Sequence, residues 1–461
     1  LVALDPRTGQ VVAMASYRSD GRPINLAVMS DFPAASLFKI ITAAAVVEKK
    51  RMTSRTTLAY DGRKHTLYKN HLKTGIRQGS NRVTLMVDGI PVYEPYFGSF
   101  DLKSFGSNGV REIKVIKGAS SVLYGPNAMG GVINVMTKRP DEPFLSLNAD
   151  FAGNSSRYFS GRMGYNHGRF ALFSSFAWDE SDGFSYDDGS ETRLRDLSDH
   201  NRRHFNLKLY YYPTNKSELV FETIYTNSEY GLPPATDYFK TRYWYFKDWD
   251  RLQLNLGGLF PLLGRGTLKT KLYYVNHYNV LDDYNSLELE KLRWESTYKN
   301  YAFGFSVLGD YPLFEGNILK LALNGSRNKV NMMNDIDEPW EKYQRDIYSL
   351  GIEDHFQISD RIKLIGGFSI DYLKKDNGIA KTVFNPILGI KYYFSDSLDI
   401  DVSISRKSRF PSMKSLYSSR SGNPDLVDEV ARNIELGIHY NRNVYIGLSV
   451  FYSIYDNMIQ S

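Results

Sequence analysis

The 461-residue chain contains no cysteine, which excludes a disulfide framework and any thiolate metal site. Long apolar runs are also missing. The longest lies near Ile40 to Val47, far short of the roughly 18 residues that a membrane-spanning helix needs. Any insertion into a bilayer therefore has to be made by strands. Lys and Arg (57) exceed Asp and Glu (51) for a net charge of +6, but they form no dense block. The chain thus lacks the basic footprint of a nucleic-acid binder. It opens on Leu1 without a charged-then-apolar leader, as expected of a secretory signal removed, lost or never part of this piece. No group of His, Asp and Glu shows metal-ligand spacing in the sequence, so no metal and no cofactor are expected.

What the chain has in quantity is aromatic residues and alternation. Aromatics make up 14% of the chain, and tyrosine (34) outnumbers phenylalanine (26). Such rings suit positions half in lipid and half in water. From Phe144 onward, apolar residues recur at every second position. Phe205, Leu207, Leu209 and Tyr211 share one face of a predicted strand, with His204, Asn206, Lys208 and Tyr210 on the other. Leu252, Leu254 and Leu256 likewise oppose Gln253 and Asn255, and Ile434, Leu436, Ile438 and Tyr440 oppose Glu435 and His439. A lipid-facing apolar side with a polar lumenal side has this pattern, and so has a large soluble β-sandwich or solenoid. Connection lengths separate the two. Short turns near 166–168, 213–216, 263–266, 311–316, 359–360, 395–397 and 441–443 alternate with longer predicted loops around 180–200, 229–248, 280–292, 331–345, 374–383 and 406–430. The expectation is a mainly β, antiparallel transmembrane barrel of roughly 15 strands.

Before these strands lies a glycine-punctuated stretch, Gly109 to Pro140. Ile113, Val115 and Ile116 interleave with Glu112, Lys114 and Lys117 as in a half-buried strand. Gly118, Gly125, Gly130 and Gly131 mark turns, and Val132 to Thr137 forms a second strand. By periodicity this is a small α/β unit. The blocks Asn81 to Val92 (NRVTLMVDGIPV), Ile113 to Gly118, Leu123-Tyr124-Gly125 and Gly130 to Val135 (GGVINV) closely resemble the plug domain of TonB-dependent outer-membrane receptors. The resemblance spans about 60 residues and extends to Ile76 to Gly79. It implies a plug inside a large barrel that imports scarce nutrients across the bacterial outer membrane. It also implies a TonB energy-coupling complex, a small nutrient ligand, and outer-membrane lipid and lipopolysaccharide as partners. Phe410-Pro411-Ser412, Leu416-Tyr417 and Gly422 to Leu426 resemble the same family.

Residues 1 to about 75 differ. Asp5 to Gly9 forms a turn between two short apolar segments, a hairpin signal, and Pro33 to Lys39 leads into a helix-favouring run. Ser36 and Lys39 make an S-x-x-K motif, which on a helix puts the lysine one turn beyond the serine on the same face. The amine can there take the serine proton and activate the hydroxyl for acyl transfer. A second copy, Ser326 and Lys329, falls in a predicted strand. The first copy with its preceding hairpin resembles the start of a penicillin-binding protein transpeptidase domain. That family adds a serine-x-asparagine motif and a K-T-G strand. Lys73-Thr74-Gly75 comes 34 positions after Lys39, leaving little room for a domain between, so no transpeptidase activity is expected.

Three segments follow: a small α/β transpeptidase-like fragment at 1–75, the C-terminal part of a plug at 76–140, and a partial barrel at 141–461. The resemblance changes near residues 73–76, no TonB-engaging segment is seen, and about 22 strands are usual for plugged transporters. Both ends of the receptor are expected to be cut, and a fusion of two gene fragments would account for this. For ligand contacts, Tyr93, Tyr96 and Phe97 are expected at the plug apex and Tyr243 and Trp244 on an outer loop. The aromatic group Tyr238, Tyr243, Trp244, Tyr245, Phe246 and Trp249 fits either an interfacial girdle or a ligand-stacking surface. Asp179, Glu180, Asp182, Asp187, Asp188 and Glu191 would make one loop acidic, either simply solvated or attracting cations.

Overall fold

The computed structural model describes residues 2–4, 11–14, 84–98, 109–117, 121–187, 191–234, 241–419, 421–442 and 444–459. Ser36, Lys39, Lys73 to Gly75 and Tyr238 lie outside them. Among the described residues, seventeen strands make one sheet. Two of these are the short strands Val2–Leu4 and Val11–Met14. The remaining fifteen run from Phe144–Phe151 to Tyr445–Asp456, each antiparallel to the next. A separate hairpin, Ser185–Asp187 with Thr192–Leu194, stands on the connection between Phe170–Ser181 and His200–Thr214. Among the described residues no helix is long and apolar enough to cross a membrane.

Side-chain alternation decides which face is which. On His200–Thr214, Phe205 and Leu209 are 40% and 42% exposed, whereas Asn206 and Lys208 between them are 6% and 4% exposed. The apolar side therefore faces outward and the polar side faces inward, the reverse of a soluble protein and the requirement of a barrel in lipid. The same parity disposes of the second S-x-x-K copy. Ser326 and Lys329 lie on the strand Asn317–Met333, and a spacing of three on a strand sends them to opposite faces.

The strands are longer than the sequence suggests. Tyr243–Leu262 and Leu292–Tyr311 have 20 residues each, against about 9–11 that cross a bilayer. Strand pairing continues beyond the apolar belt and absorbs much of what was expected as loop. The connections shrink to 233–242, 285–291, 334–340 and 376–379, while 182–199 and 410–428 stay long, and longer and shorter connections still alternate along the chain. Asp179 and Glu180 likewise belong to the strand Phe170–Ser181, with Asp179 at 3.4 Å from His200.

The plug is a four-stranded mixed sheet ordered Ile90–Pro91, Thr84–Val87, Gly131–Thr137, Val110–Lys117. The two strands expected within 109–140 pair antiparallel, with Ile113 opposite Val135 and Val115 opposite Ile133. Thr84–Val87 lies parallel to Gly131–Thr137. Val87, Val92 and Val135 form one small core, and Met86, Ala128 and Val132 another. Asp88 and Gly89 both take positive φ (48° and 75°), the geometry of a two-residue hairpin and the reason a glycine stands second.

Candidate functional site

Three groups of contacts seat the plug against the lumenal face. The first is at the Asp88 turn. The Asp88 carboxylate accepts from the Thr137 backbone N–H (3.0 Å) and hydroxyl (2.7 Å), and pairs with the Lys208 ammonium from the wall. Lys208 also lies 3.2 Å from Glu222, whose other partners are Asn206 and Asn255 at 3.0 and 2.7 Å. Lys271 donates to the Asp88 carbonyl. Burial alone would raise the Asp88 carboxyl. The Lys208 charge and the bonds from Lys208 and Thr137 outweigh it, and the pKa lies below the ordinary value.

The second group is the apex, Tyr93 to Phe97. Glu94 is only 6% exposed. It accepts from the backbone N–H of Tyr96 (3.0 Å) and Phe97 (2.5 Å) and from the Asn300 side chain of the wall. Burial pushes its pKa up to about 7 against these bonds and the Arg345 charge. Tyr93 donates to Asn328 at 2.7 Å. Tyr96, 3% exposed, packs with Val330, Met332 and Met413, and its ring centroid is 5.0 Å from that of Tyr298. Burial also raises the Tyr96 phenol.

The third group is the connection 410–428, which folds inward instead of projecting from the rim. Its helix Met413–Tyr417 is capped by Ser412. The Lys414 N–H donates to the Tyr96 carbonyl (2.8 Å), and the Lys414 ammonium lies 5.0 Å from the Phe97 ring centre. Asn127 of the plug bonds Ser408 and Phe410 on its approach (3.2 and 3.1 Å). Arg345 of the wall donates to the Pro411 carbonyl at 2.6 Å, and Tyr417 stacks on Tyr343 at 4.0 Å. The apex is thus closed in by wall and loop together. Asn300 Oδ1, Arg345 Nε and the Tyr417 hydroxyl are buried there without a hydrogen-bond partner among the described residues. Among the described residues of this arrangement no nucleophile-and-base pair stands together. Its chemistry is that of stacking and hydrogen bonding.

The structure brings Tyr93, Tyr96 and Phe97 to one apex but puts Tyr243 and Trp244 elsewhere. Tyr243 begins the strand Tyr243–Leu262 opposite Tyr284. Trp244 packs edge-on to Trp294 at 6.1 Å beneath Arg242, beside a cluster of Tyr230, Phe246, Trp249 and Leu281. The residues that complete the apex, Tyr298, Asn300, Asn328, Arg345 and Lys414, carried no signal beyond inward parity or, for Lys414, a family-like segment. Metal-ligand spacing, absent along the sequence, does arise in space. Asp399, Asp401 and His439 fall within 4.8 Å of one another on paired strands, and Lys391 already lies 2.5 Å from Asp399.

An apolar exterior, a polar lumen and an enclosed mixed-sheet plug define a plugged outer-membrane β-barrel. The family model for the TonB-dependent receptor-like β-barrel matches residues 141–461, and the chain belongs to that family. The TonB-dependent receptor plug domain matches residues 65–132, and the penicillin-binding protein transpeptidase domain matches residues 1–86. The vitamin B12 transporter BtuB of Photobacterium profundum is 24% identical over 381 residues, covering 78% of this chain. The chain spans 56% of that relative's length. Among solved structures, the copper transporter OprC superposes with a TM-score of 0.69 at 15% identity, over 82% of this chain and 68% of that one. The FrpB iron transporter from Neisseria meningitidis gives 0.67 at 17% identity, over 81% and 65%. The family is one of bacterial outer-membrane transporters and not of enzymes.

Proposed function

We propose that the chain is part of an outer-membrane receptor that captures a scarce small nutrient such as a siderophore, cobalamin or glycan and passes it inward chemically unchanged. The observation that carries this reading is the apex: an aromatic and hydrogen-bonding surface at Tyr93, Tyr96 and Phe97, roofed by residues 410–418. Lifting that roof exposes Tyr96 and Phe97 to a ligand, while Tyr243 and Trp244 offer stacking surface at the rim. Force from a TonB energy-coupling complex then rearranges the plug. The transporters for cobalamin, iron and copper among the similar proteins support the class of cargo. Outer-membrane lipid and lipopolysaccharide surround the barrel, and no nucleic acid is a partner.

Calorimetric titration of the purified chain with cyanocobalamin, ferric enterobactin and an oligosaccharide panel tests this reading. Saturable binding that weakens in Phe97→Ala supports it. Absence of binding by a sample that still shows the heat-dependent gel shift of a folded barrel counts against it. The segment 1–75 has no acyl-transferase role in this reading. A fluorescent β-lactam that labels the chain, and fails to label Ser36→Ala, would restore the enzymatic alternative.

A further inference from the structure

The lumenal wall carries one group of side chains that the transport reading does not use, far from the apex and close to the short turns. On Leu398–Arg409 the even-numbered Val402 and Ile404 are exposed, and on Glu429–Asn441 so are Ile434, Leu436 and Tyr440. These even positions form the apolar exterior, so the odd positions of both strands face the lumen. Asp399, Asp401 and His439 are all odd. Asp399 is paired directly with His439, and Asp401 with Gly437 two residues further along. The group stands beside the two-residue connection 396–397, at the opposite end of these strands from the inward-folded segment 410–428.

The donor set is one imidazole nitrogen and two carboxylate oxygens. His439 Nδ1 lies 3.0 Å from Asp399 Oδ1 and 3.2 Å from Asp401 Oδ1, and the three ligand atoms all fall within 4.8 Å of one another. A tetrahedral ion held at about 2.0–2.2 Å by nitrogen and oxygen keeps its ligand atoms about 3.3–3.6 Å apart. The nitrogen-to-oxygen distances are therefore already close to those of a loaded site. Among the described residues no other three His, Asp or Glu side chains converge in this way. A cradle makes the convergence possible. A Cβ built on Gly437 would come 2.7 Å from Asp401 Oδ1, so the carboxylate occupies the space that a side chain there would fill, and reaches His439 across it. Lys391, paired in register with Asp401, puts its ammonium 2.5 Å from Asp399 and 5.3 Å from the Tyr393 ring centre. The ammonium thus balances the carboxylates and has an aromatic face beside it to move to.

We propose that Asp399, Asp401 and His439 bind a divalent transition-metal ion of the Zn2+ type at the short-turn end of the lumen. An imidazole with two carboxylates suits such an ion, whereas Ca2+ and Mg2+ take oxygen donors in larger number. Three protein ligands leave a fourth position for water or a group of the passing cargo. The site rests on the lumenal parity of these strands and is independent of which nutrient is carried. The test titrates the full, untagged chain in detergent, stripped with EDTA, with Zn2+ against a chromophoric indicator. The expected result is one Zn2+ per chain, with affinity lowered about tenfold or more in His439→Gln and in Asp401→Asn. Gly437→Ala keeps all three ligands and should still weaken binding, because it displaces the Asp401 carboxylate. Lys391→Met removes the competing ammonium and should tighten it. The heat-dependent gel shift identifies any variant that fails to fold. A readout on the wild-type chain needs no variant: with Cu2+ bound, electron spin-echo modulation should show a single coordinated imidazole. Zn2+ binding that is unchanged in folded His439→Gln, or a Cu2+ spectrum without that one imidazole, overturns the proposal and leaves a charge network in which Lys391 and His439 only balance two carboxylates.

Discussion

The plug is attached to the wall by charge at one end and by aromatic surface at the other. At Asp88 a carboxylate and two lysines meet across the interface, extended by Glu222 and its amide partners. At Tyr96 the contact is a stack of rings and methionines, with one carboxylate, Glu94, used to fold the apex itself. A buried ion pair adds little net stability when made, but removing one partner strands the other and costs about 3–5 kcal/mol. Aromatic and aliphatic packing scales with the surface removed and tolerates sliding. The Asp88 end therefore suits an attachment that either holds or lets go, and the apex suits one that can be repacked.

Lys208→Met gives the largest expected effect. It strands Asp88 and Glu222 together, and protection of the amides at 84–89 and 131–137 against hydrogen exchange should fall by the equivalent of about 3–5 kcal/mol. Adding Asp88→Asn should recover part of the loss. Unchanged protection in the single variant would erase the distinction between the two ends. Met413→Ala follows. Met413 is fully buried between apex and wall, and truncating such a side chain costs about 2–5 kcal/mol. Here the loss should appear in residues 93–98 and 410–418 while the Asp88 turn stays protected.

The two ends should also answer pH with opposite signs. The Glu94 carboxyl is raised from 4.5 to about 7, so the folded apex binds its proton more tightly than the unfolded chain does. Its contribution is complete below about 4.5 and is lost as pH rises through about 7, a change of roughly 3–4 kcal/mol at 1.4 kcal/mol per unit. Asp88 is shifted downward, so its contribution is present above the ordinary carboxylate range and lost as pH falls through the folded value. Apex protection measured between pH 4.5 and 7 should decline, and Glu94→Gln should flatten it. A Glu94→Gln profile identical to wild type would show that another group sets the slope.

The barrel and the plug strands were legible because both rest on local patterns. A period of two needs only neighbouring residues, and it placed Phe205 outward and Lys208 inward correctly. Loop lengths were misjudged because polar residues were read as loop, whereas above the apolar belt a strand keeps pairing with polar side chains on both faces, as at Tyr243–Leu262. The apex was only half legible. Tyr93 to Phe97 is contiguous, but Asn300 and Asn328 lie 206 and 235 positions from their partners Glu94 and Tyr93. Nothing local links an inward asparagine on one strand to a plug turn. Asp399, Asp401 and His439 met for the same reason, through strand register rather than spacing.

The smallest effect should come from the stack of Tyr343 on Tyr417, at 4.0 Å and 9° between ring planes. It joins the inward-folded connection to the wall without touching the plug sheet. An aromatic pair of this kind is worth about 0.5–1.5 kcal/mol beyond its buried area. A double-mutant cycle of Tyr343→Leu and Tyr417→Leu, read by exchange at 413–417, should give a coupling in that range. Amides of the Asp88 turn should not respond. Because the roof is held by several such modest contacts, weakening this one should raise the rate at which a ligand reaches Tyr96 and Phe97 while the plug remains seated. If exchange at the Asp88 turn rises together with that at 413–417, roof and plug open as one unit, and the two attachments are no longer separable.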